Sequence, residues 1–153
     1  MPVTAPRGTY TSAIDMWSLG CIVFECLVGI PIFAGENERD QMAAIMEVIG
    51  QPPRSLIAKA TRRKVFFDDD YNPVIKPNSR GRLRKPGQRP LESIVKVNDP
   101  DLIEFLKVSF LVVIISQGCF EWKPEKRMKP DEGLKSPWIV KAITESRLKK
   151  QTV

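Results

Sequence analysis

Histidine is absent from the 153-residue sequence, and its three cysteines, Cys21, Cys26 and Cys119, form no Cys-x-x-Cys pair. The usual histidine and cysteine ligand sets for zinc therefore cannot be built, and the cysteine spacing does not indicate a disulfide framework. Such cysteine usage is typical of a reducing compartment, so we expect an intracellular location, in the cytoplasm, the nucleus or both.

Long hydrophobic runs are also missing. The longest apolar stretch, residues 108–115, includes a serine and is far shorter than the roughly 20 residues that a membrane-spanning helix needs. The sequence does not start with a charged segment followed by an apolar run, as a signal peptide would. We therefore expect no membrane association.

The sequence lacks the motifs that position nucleotide phosphates. No two of its nine glycines are separated by a single residue, so a Gly-x-Gly-x-x-Gly loop cannot form. His-Arg-Asp, Asp-Phe-Gly and Val-Ala-Ile-Lys, which supply a catalytic base, a magnesium ligand and a phosphate-binding lysine, are missing as well. Together these absences predict that the chain itself has no site for ATP or for a metal.

Basic residues outnumber acidic ones and give a net charge of +6. Six of them lie between positions 76 and 89, with no acidic residue among them: Lys76, Arg80, Arg82, Arg84, Lys85 and Arg89. No aromatic residue is interspersed for base stacking, which argues against nucleic-acid binding. The pattern favours a solvated basic loop. The alternative interpretation is a docking surface for acidic or phosphorylated partners, which would involve Arg80, Arg82, Arg84 and Lys85.

Two helices are predicted in the first third of the chain. Residues 12–28 are apolar around the whole helix, which is typical of a buried helix, although a chain of this size can hardly cover it on all sides. A second helix is predicted from Glu36 or Asn37 to Ile49, where Gly50 ends it. Its apolar positions follow the i, i+3, i+4, i+7 pattern and favour core packing over a binding face; they are Met42, Ile45, Met46 and Ile49.

Less regular structure is predicted further along. Residues 55–64 can be helical, whereas residues 65–70 and the proline- and glycine-rich stretch after them cannot sustain a regular element. Another helix is predicted to begin at Asp99, with Pro100 in its first turn.

Five ordered motifs resemble the large lobe of a eukaryotic protein kinase, and most closely the DYRK family of the CMGC group. They are residues 10–22 (YTSAIDMWSLGCI), 33–41 (FAGENERDQ), 46–53 (MEVIGQPP), 78–82 (NSRGR) and 120–128 (FEWKPEKRM). The resemblance implies a mainly α fold, an incomplete C-lobe without the N-lobe sheet, with helices resembling F, G, H and I. It also implies a lead-in at 1–9, a partial C-lobe at 10–140 with a CMGC-type insert at 54–95, and a tail at 141–153.

The resemblance further implies five structural residues: Asp15, Trp17, Gly20, Trp122 and Arg127. The aspartate matching Asp15 binds catalytic-loop backbone in intact kinases; without that loop, Asp15 can still act with Ser12 as a variant capping box. The arginine matching Arg127 pairs with the glutamate of Ala-Pro-Glu. Since the sequence has no such glutamate, Arg127 must instead find Glu121, Glu125 or water.

Four residues depart from the family pattern near the C-terminal end. Lys123 stands where aspartate is usual. Lys129 stands where a serine or threonine cap is usual, and Gly133 stands where alanine is usual. The glycine removes about 1 kcal/mol of helix propensity. Ser136 replaces a histidine.

Three functions remain open at this point. The first is a fragment or truncated gene product of a DYRK-like kinase, whose intact parent would use ATP and magnesium to phosphorylate Ser, Thr or Tyr, while this chain alone is non-catalytic. The second is a stand-alone binding module that competes with the intact kinase for protein substrates or regulators, through its second helix and basic insert. The third, nucleic-acid binding, has only the basic loop in its favour.

Residues 108–117 (VSFLVVIISQ) have no counterpart in the family pattern, and removing them restores it. They form either a lengthened helix or a buried strand, or they are a short unspliced intron translated by a gene model, which is the interpretation that we favour. Their β-branched, uncharged composition is typical of an aggregation-prone segment.

Overall fold

The computed structural model describes residues 13–94, 119–135, 140 and 143–144. Within them the fold is mainly helical, as predicted, and the residues described form no β-strand beyond one isolated bridge between Phe67 and Pro73. No helix in these ranges is long and apolar enough to cross a membrane. The helix predicted at Asp99 and the segment 108–117 lie outside the described residues.

The first helix, α1 (Ala13–Val28), follows the sequence prediction closely. Met16 and Phe24 are buried, whereas Leu19 and Ile22 are 44% and 59% exposed. The helix therefore has one covered and one uncovered apolar face, which agrees with the expectation that this chain cannot bury it on all sides.

The second helix, α2 (Glu38–Ile49), is confirmed at both ends. Asn37 is its N-cap, and its side-chain oxygen accepts hydrogen bonds from the backbone N–H groups of Arg39 and Asp40, each at 3.0 Å. Gly50 ends it with a φ of 85°, a conformation that favours glycine. Met42 and Met46 are buried against Ile57 and Phe66, so the methionine stripe is core, as predicted.

The segment predicted as one helix over 55–64 is instead two short helices, α3 (Arg54–Lys59) and α4 (Arg63–Phe66). Ala60 takes an extended conformation and interrupts them. The break lets Ile57 and Phe66 reach the same cluster around α2, which one straight helix would not allow. The prediction of irregular structure from residue 65 is therefore wrong for Val65 and Phe66, which form the end of α4.

Two short helices complete the described part. Helix α5 (Leu91–Ile94) packs Leu91 and Ile94 against Phe24 and Phe120. Helix α6 (Pro130–Leu134) follows a 3-10 turn at Pro124–Lys126. At its start the carboxylate of Glu132 accepts the backbone N–H of Lys129 at 3.0 Å. This is the half of a capping box that a lysine at the cap position still allows.

Two helical glycines differ in the space around them. A Cβ at Gly20 would lie 2.8 Å from the Cβ of Cys119 and 3.0 Å from the ring of Phe120, whereas a Cβ at Gly133 would meet only sulfur and methyl atoms at 3.6 Å and 3.7 Å. The contact at Gly20 is closer than packed side chains tolerate, and the contacts at Gly133 are ordinary. Gly20 therefore permits α1 to approach Cys119 and Phe120.

This difference predicts opposite effects for two alanine substitutions. We expect Gly20→Ala to lower the free energy of unfolding by about 1 kcal/mol or more, because overpacking exceeds the gain in helix propensity. We expect Gly133→Ala to raise it by about 0.5–1 kcal/mol, since only the propensity changes. Urea denaturation of the two variants measures both, each serving as the control for the other, and equal shifts would contradict the packing explanation.

Candidate functional site

The basic loop at residues 76–89 lies along α2 rather than in solvent. At one end, the Ser79 N–H donates to the carboxylate of Glu36 at 2.7 Å. At the other end, the N–H groups of Gly87 and Arg89 donate to the carbonyl oxygens of Met46 and Glu47, each at 2.9 Å. Those carbonyls belong to the last turn of α2, which has no further helix to bond them. The loop therefore runs in the direction of the helix and caps its C-terminal end.

A buried ion-pair cluster, which we call the α2 clasp, holds the middle of this loop. It consists of Asp40, Glu47 and Arg84, which are 7%, 4% and 8% exposed. The Arg84 guanidinium donates through Nε to Asp40 Oδ1 at 2.9 Å and through Nη1 to Glu47 Oε2 at 2.7 Å. Its Nη2 donates to the Ala34 carbonyl at 3.2 Å. All three nitrogens of this buried cation are thus bonded.

The charges in the clasp are balanced by a second arginine. Arg82 Nη2 donates to the two Glu47 oxygens at 2.9 Å and 3.1 Å from a half-exposed position. Two carboxylates therefore face two guanidinium groups. Buried charges need such pairing, since an uncompensated one is strongly destabilising.

Electrostatics in the clasp favour the ionised forms. Burial alone would raise the pKa of Asp40, but the Glu36 N–H and the Arg84 guanidinium outweigh it and lower the pKa. Likewise, burial opposes the charge of Arg84, yet Glu47 and Asp40 raise its pKa. The stabilisation from Asp40 is therefore present above its ordinary pKa of about 4 and is lost as the pH falls through the lower, folded value.

The structure separates the four residues that the sequence suggested for partner docking. Arg84 is buried and cannot meet a partner, so its assignment to a docking surface is wrong. Arg82 is half-exposed and already paired with Glu47. Arg80 and Lys85 are exposed, and docking through them stays a prediction. Arg84 instead has a structural role, because the buried carboxylates of Asp40 and Glu47 require a cation.

The carboxylates of the clasp were missed by the sequence analysis. Asp40 and Glu47 are seven residues apart, so they share one face of α2, and that face also carries buried alanines. Two acidic residues at helical spacing on an apolar face, followed by a loop of cations, are the signal that could have indicated the pairing.

A second site, the Trp17 cluster, contains two of the five residues that the family pattern indicated and lies against two more, Gly20 and Arg127. It consists of Trp17, Phe33, Phe120 and Trp122. The Trp17 ring stacks on Phe33 at 5.8 Å between centroids, meets Phe120 edge-on at 5.3 Å and lies 6.1 Å from Trp122. Trp122 also donates its indole N–H to the Gly50 carbonyl at 3.2 Å, which ties the cluster to the end of α2. Gly20 lies next to Phe120, one turn from Trp17.

Arg127 closes the Trp17 cluster. Its guanidinium carbon lies 5.1 Å from the Trp17 ring centroid, and Nε and Nη2 donate to the Glu121 carbonyl at 3.1 Å and 2.9 Å. Arg127 thus binds the backbone of Glu121, one of the residues expected to replace its family partner. Burial lowers the pKa of Arg127, while Cys119 and Glu121 act in the opposite direction.

Asp15 stands apart from this cluster. It lies in the first turn of α1, where its negative charge interacts favourably with the positive end of the helix dipole, and its side chain is exposed. Its predicted partner Ser12 lies outside the described residues, so the capping role stays a prediction.

Neither site offers the chemistry of a metal or redox centre. Within the described ranges, no three histidine, cysteine, aspartate or glutamate side chains form a group that could hold a metal ion. The cysteines are free, and burial raises the pKa of Cys21 to about 11 and that of Cys119 above its usual value. These two thiols therefore stay protonated near neutral pH and are weak nucleophiles.

Comparison with known proteins identifies the family. The protein kinase domain model matches residues 3–139. The chain belongs to the protein kinase family. It is 48% identical over 123 residues to dual specificity tyrosine-phosphorylation-regulated kinase 2 of Drosophila melanogaster, covering 80% of this chain and 16% of that protein.

Two further relatives agree. Dual specificity tyrosine-phosphorylation-regulated kinase 4 of Homo sapiens is 44% identical over 130 residues, covering 85% of this chain and 23% of that protein. A probable serine/threonine-protein kinase dyrk2 of Dictyostelium discoideum is 38% identical over 135 residues, covering 88% of this chain and 14% of that protein. The DYRK-like assignment made from the five motifs is confirmed. The chain spans less than a quarter of the length of these three relatives.

The α2 clasp predicts a strong effect of one substitution. We expect Arg84→Met to lower the free energy of unfolding by about 3 kcal/mol, because it leaves Asp40 and Glu47 buried with one cation fewer. Lys85→Met, at the next and exposed position, should change it by less than about 0.5 kcal/mol. Urea denaturation measures both. Similar values for the two variants would show that the buried pairing contributes nothing to stability.

Proposed function

We propose that this chain supplies the lower part of the large lobe of a DYRK-like protein kinase whose parent protein transfers phosphate from ATP to Ser, Thr or Tyr hydroxyls. The supporting observation is the Trp17 cluster, in which motif residues from the two ends of the family match meet around one ring. Phosphoryl transfer depends on positioned phosphates and magnesium. The residues present do not fit that role, so we assign the transferring groups to parts of the parent that this chain does not span.

In this proposal the chain's own residues support the machinery. The Trp17 cluster joins α1 to the segment around Trp122, and the α2 clasp fixes the insert to α2. Protein substrates or regulators would meet the chain through α2 and the insert, in an intracellular setting. ATP and magnesium would bind to the parent only.

We therefore expect the 153-residue chain neither to bind magnesium-ATP in the sub-millimolar range nor to phosphorylate a basic protein substrate. The physical reason is that the groups that cradle phosphate and neutralise developing charge are missing together. Calorimetric titration with magnesium-ATP and a radiolabel transfer assay measure these properties, with an active full-length DYRK kinase as the control. Saturable ATP binding by the chain would contradict the proposal.

A second candidate function is a protein-binding module that uses the insert. It is favoured by the exposure of Arg80 and Lys85 on a loop that the α2 clasp holds in one conformation, since a pre-formed basic surface binds with little ordering cost. The acidic or phosphorylated partners considered from the sequence would meet these two side chains and leave Arg84 in place.

This candidate predicts that Arg80→Glu with Lys85→Glu weakens binding of a fluorescent acidic peptide about tenfold, because two attractive surface charges become repulsive. The control is Lys59→Glu with Lys126→Glu, which changes the net charge equally at exposed positions outside the loop. Fluorescence anisotropy at low ionic strength measures the affinities. Equal weakening by both double variants would mean that only net charge matters, and unchanged affinity would remove the loop from the candidate site.

A further inference from the structure

At the end of the loop next to the α2 N-terminus, Ser79 makes an exposed side-chain contact that differs in kind from the buried clasp. The neighbouring Asn78 also hydrogen-bonds Asp40. Ser79 is exposed and gives both of its donors to one carboxylate: its hydroxyl and its backbone N–H bond to the two oxygens of Glu36. In the described part of the chain no lysine or arginine forms an ion pair with Glu36. The serine donors alone therefore satisfy this carboxylate from the loop.

The backbone around Ser79 is a compact surface turn. The Asn78 side chain accepts the N–H groups of Arg80 at 3.0 Å and of Arg82 at 2.9 Å, and Gly81 has a φ of 73°. The turn presents the serine at its outer edge, with Lys76 three positions before it and Arg80 and Arg82 after it. A serine in an exposed turn with basic flanks is a suitable acceptor for a protein kinase whose substrate groove is acidic.

We propose that Ser79 is a phosphorylation site and that its modification releases the loop from the N-terminal end of α2. In the reaction, Ser79 Oγ forms a bond to the γ-phosphorus of ATP as the bond to the β-bridging oxygen breaks. ADP leaves, and the hydroxyl proton passes to the base of the modifying kinase. The inference does not depend on the proposed function, because the modifying kinase is a separate enzyme.

The physical consequence follows from the contacts. Phosphorylation removes the hydroxyl donor and places a charge of about −1.5 to −2 beside the Glu36 carboxylate. Two like charges at hydrogen-bond distance repel, and among the described residues Glu36 has no ion pair that would offset them. Arg82, now bonded to Glu47, is the cation that the phosphate can recruit instead, since guanidinium groups bind phosphate in a bidentate way.

The release is expected to be local. Arg84 keeps its bonds to Asp40 and Glu47, and Gly87 and Arg89 keep theirs to the end of α2. Phosphorylation should therefore release Ser79 and loosen the turn around it, while the clasp and α2 remain intact. This pattern separates a specific release from general unfolding.

The test is hydrogen exchange of the full chain before and after treatment with magnesium-ATP and a kinase that prefers basic substrates. Tandem mass spectrometry locates the phosphate, and Ser79→Ala is the blank. We expect the Ser79 amide to exchange about tenfold faster after phosphorylation, because its bond to a charged acceptor is lost, while amides of α2 residues 42–48 are unchanged.

A charge swap gives the matched control. In Glu36→Lys the phosphate would face an ammonium group, so phosphorylation should slow exchange at Ser79 instead of accelerating it. The proposal is overturned if Ser79 takes up no phosphate, if exchange at Ser79 is unchanged in the phosphorylated wild-type chain, or if both proteins respond in the same direction. Loss of protection throughout α2 would also overturn it, since the clasp is then not independent of the turn.

Discussion

The arrangement of the insert depends on the buried ion pairs that Arg84 forms with Asp40 and Glu47. Helix α2 carries Asp40 and Glu47 on the face that the insert covers, and neither carboxylate could be buried there without a cation. Arg84 supplies that cation from a loop that has no regular structure of its own. The loop gains a fixed position on α2, and the helix gains cover for two charges and for its last carbonyl groups. Helix and insert therefore stabilise each other.

The sequence predicted those features that depend on neighbouring residues and missed those that depend on residues far apart along the chain. Helix α2 was predicted at both ends because Asn37 and Gly50 act within a few residues of themselves. The break at Ala60 was missed, since it results from tertiary packing of Ile57 and Phe66 against α2 rather than from a local breaker. The clasp was missed because its partners are 44 and 37 residues apart, and charge counting along the chain cannot show which cations are buried.

The Trp17 cluster was predicted only as a set of residues. Motif resemblance indicated Trp17, Gly20, Trp122 and Arg127 without their geometry, and the structure brings them together through ring contacts and one close helix approach. Arg127 illustrates the difference: it donates to the Glu121 carbonyl and lies over the face of Trp17, and the motif by itself specifies neither contact.

The surface formed by α2 and the insert differs in physical character from the exposed side of α1. Around α2 and the insert, ion pairs and backbone hydrogen bonds hold an irregular loop in one conformation. On α1, Leu19 and Ile22 remain uncovered by the described residues, although an apolar helix face of this kind normally packs against protein. The insert is thus fixed by polar contacts to α2, whereas within the described ranges α1 is held through only one of its apolar faces, by the packing of Trp17 and Phe24.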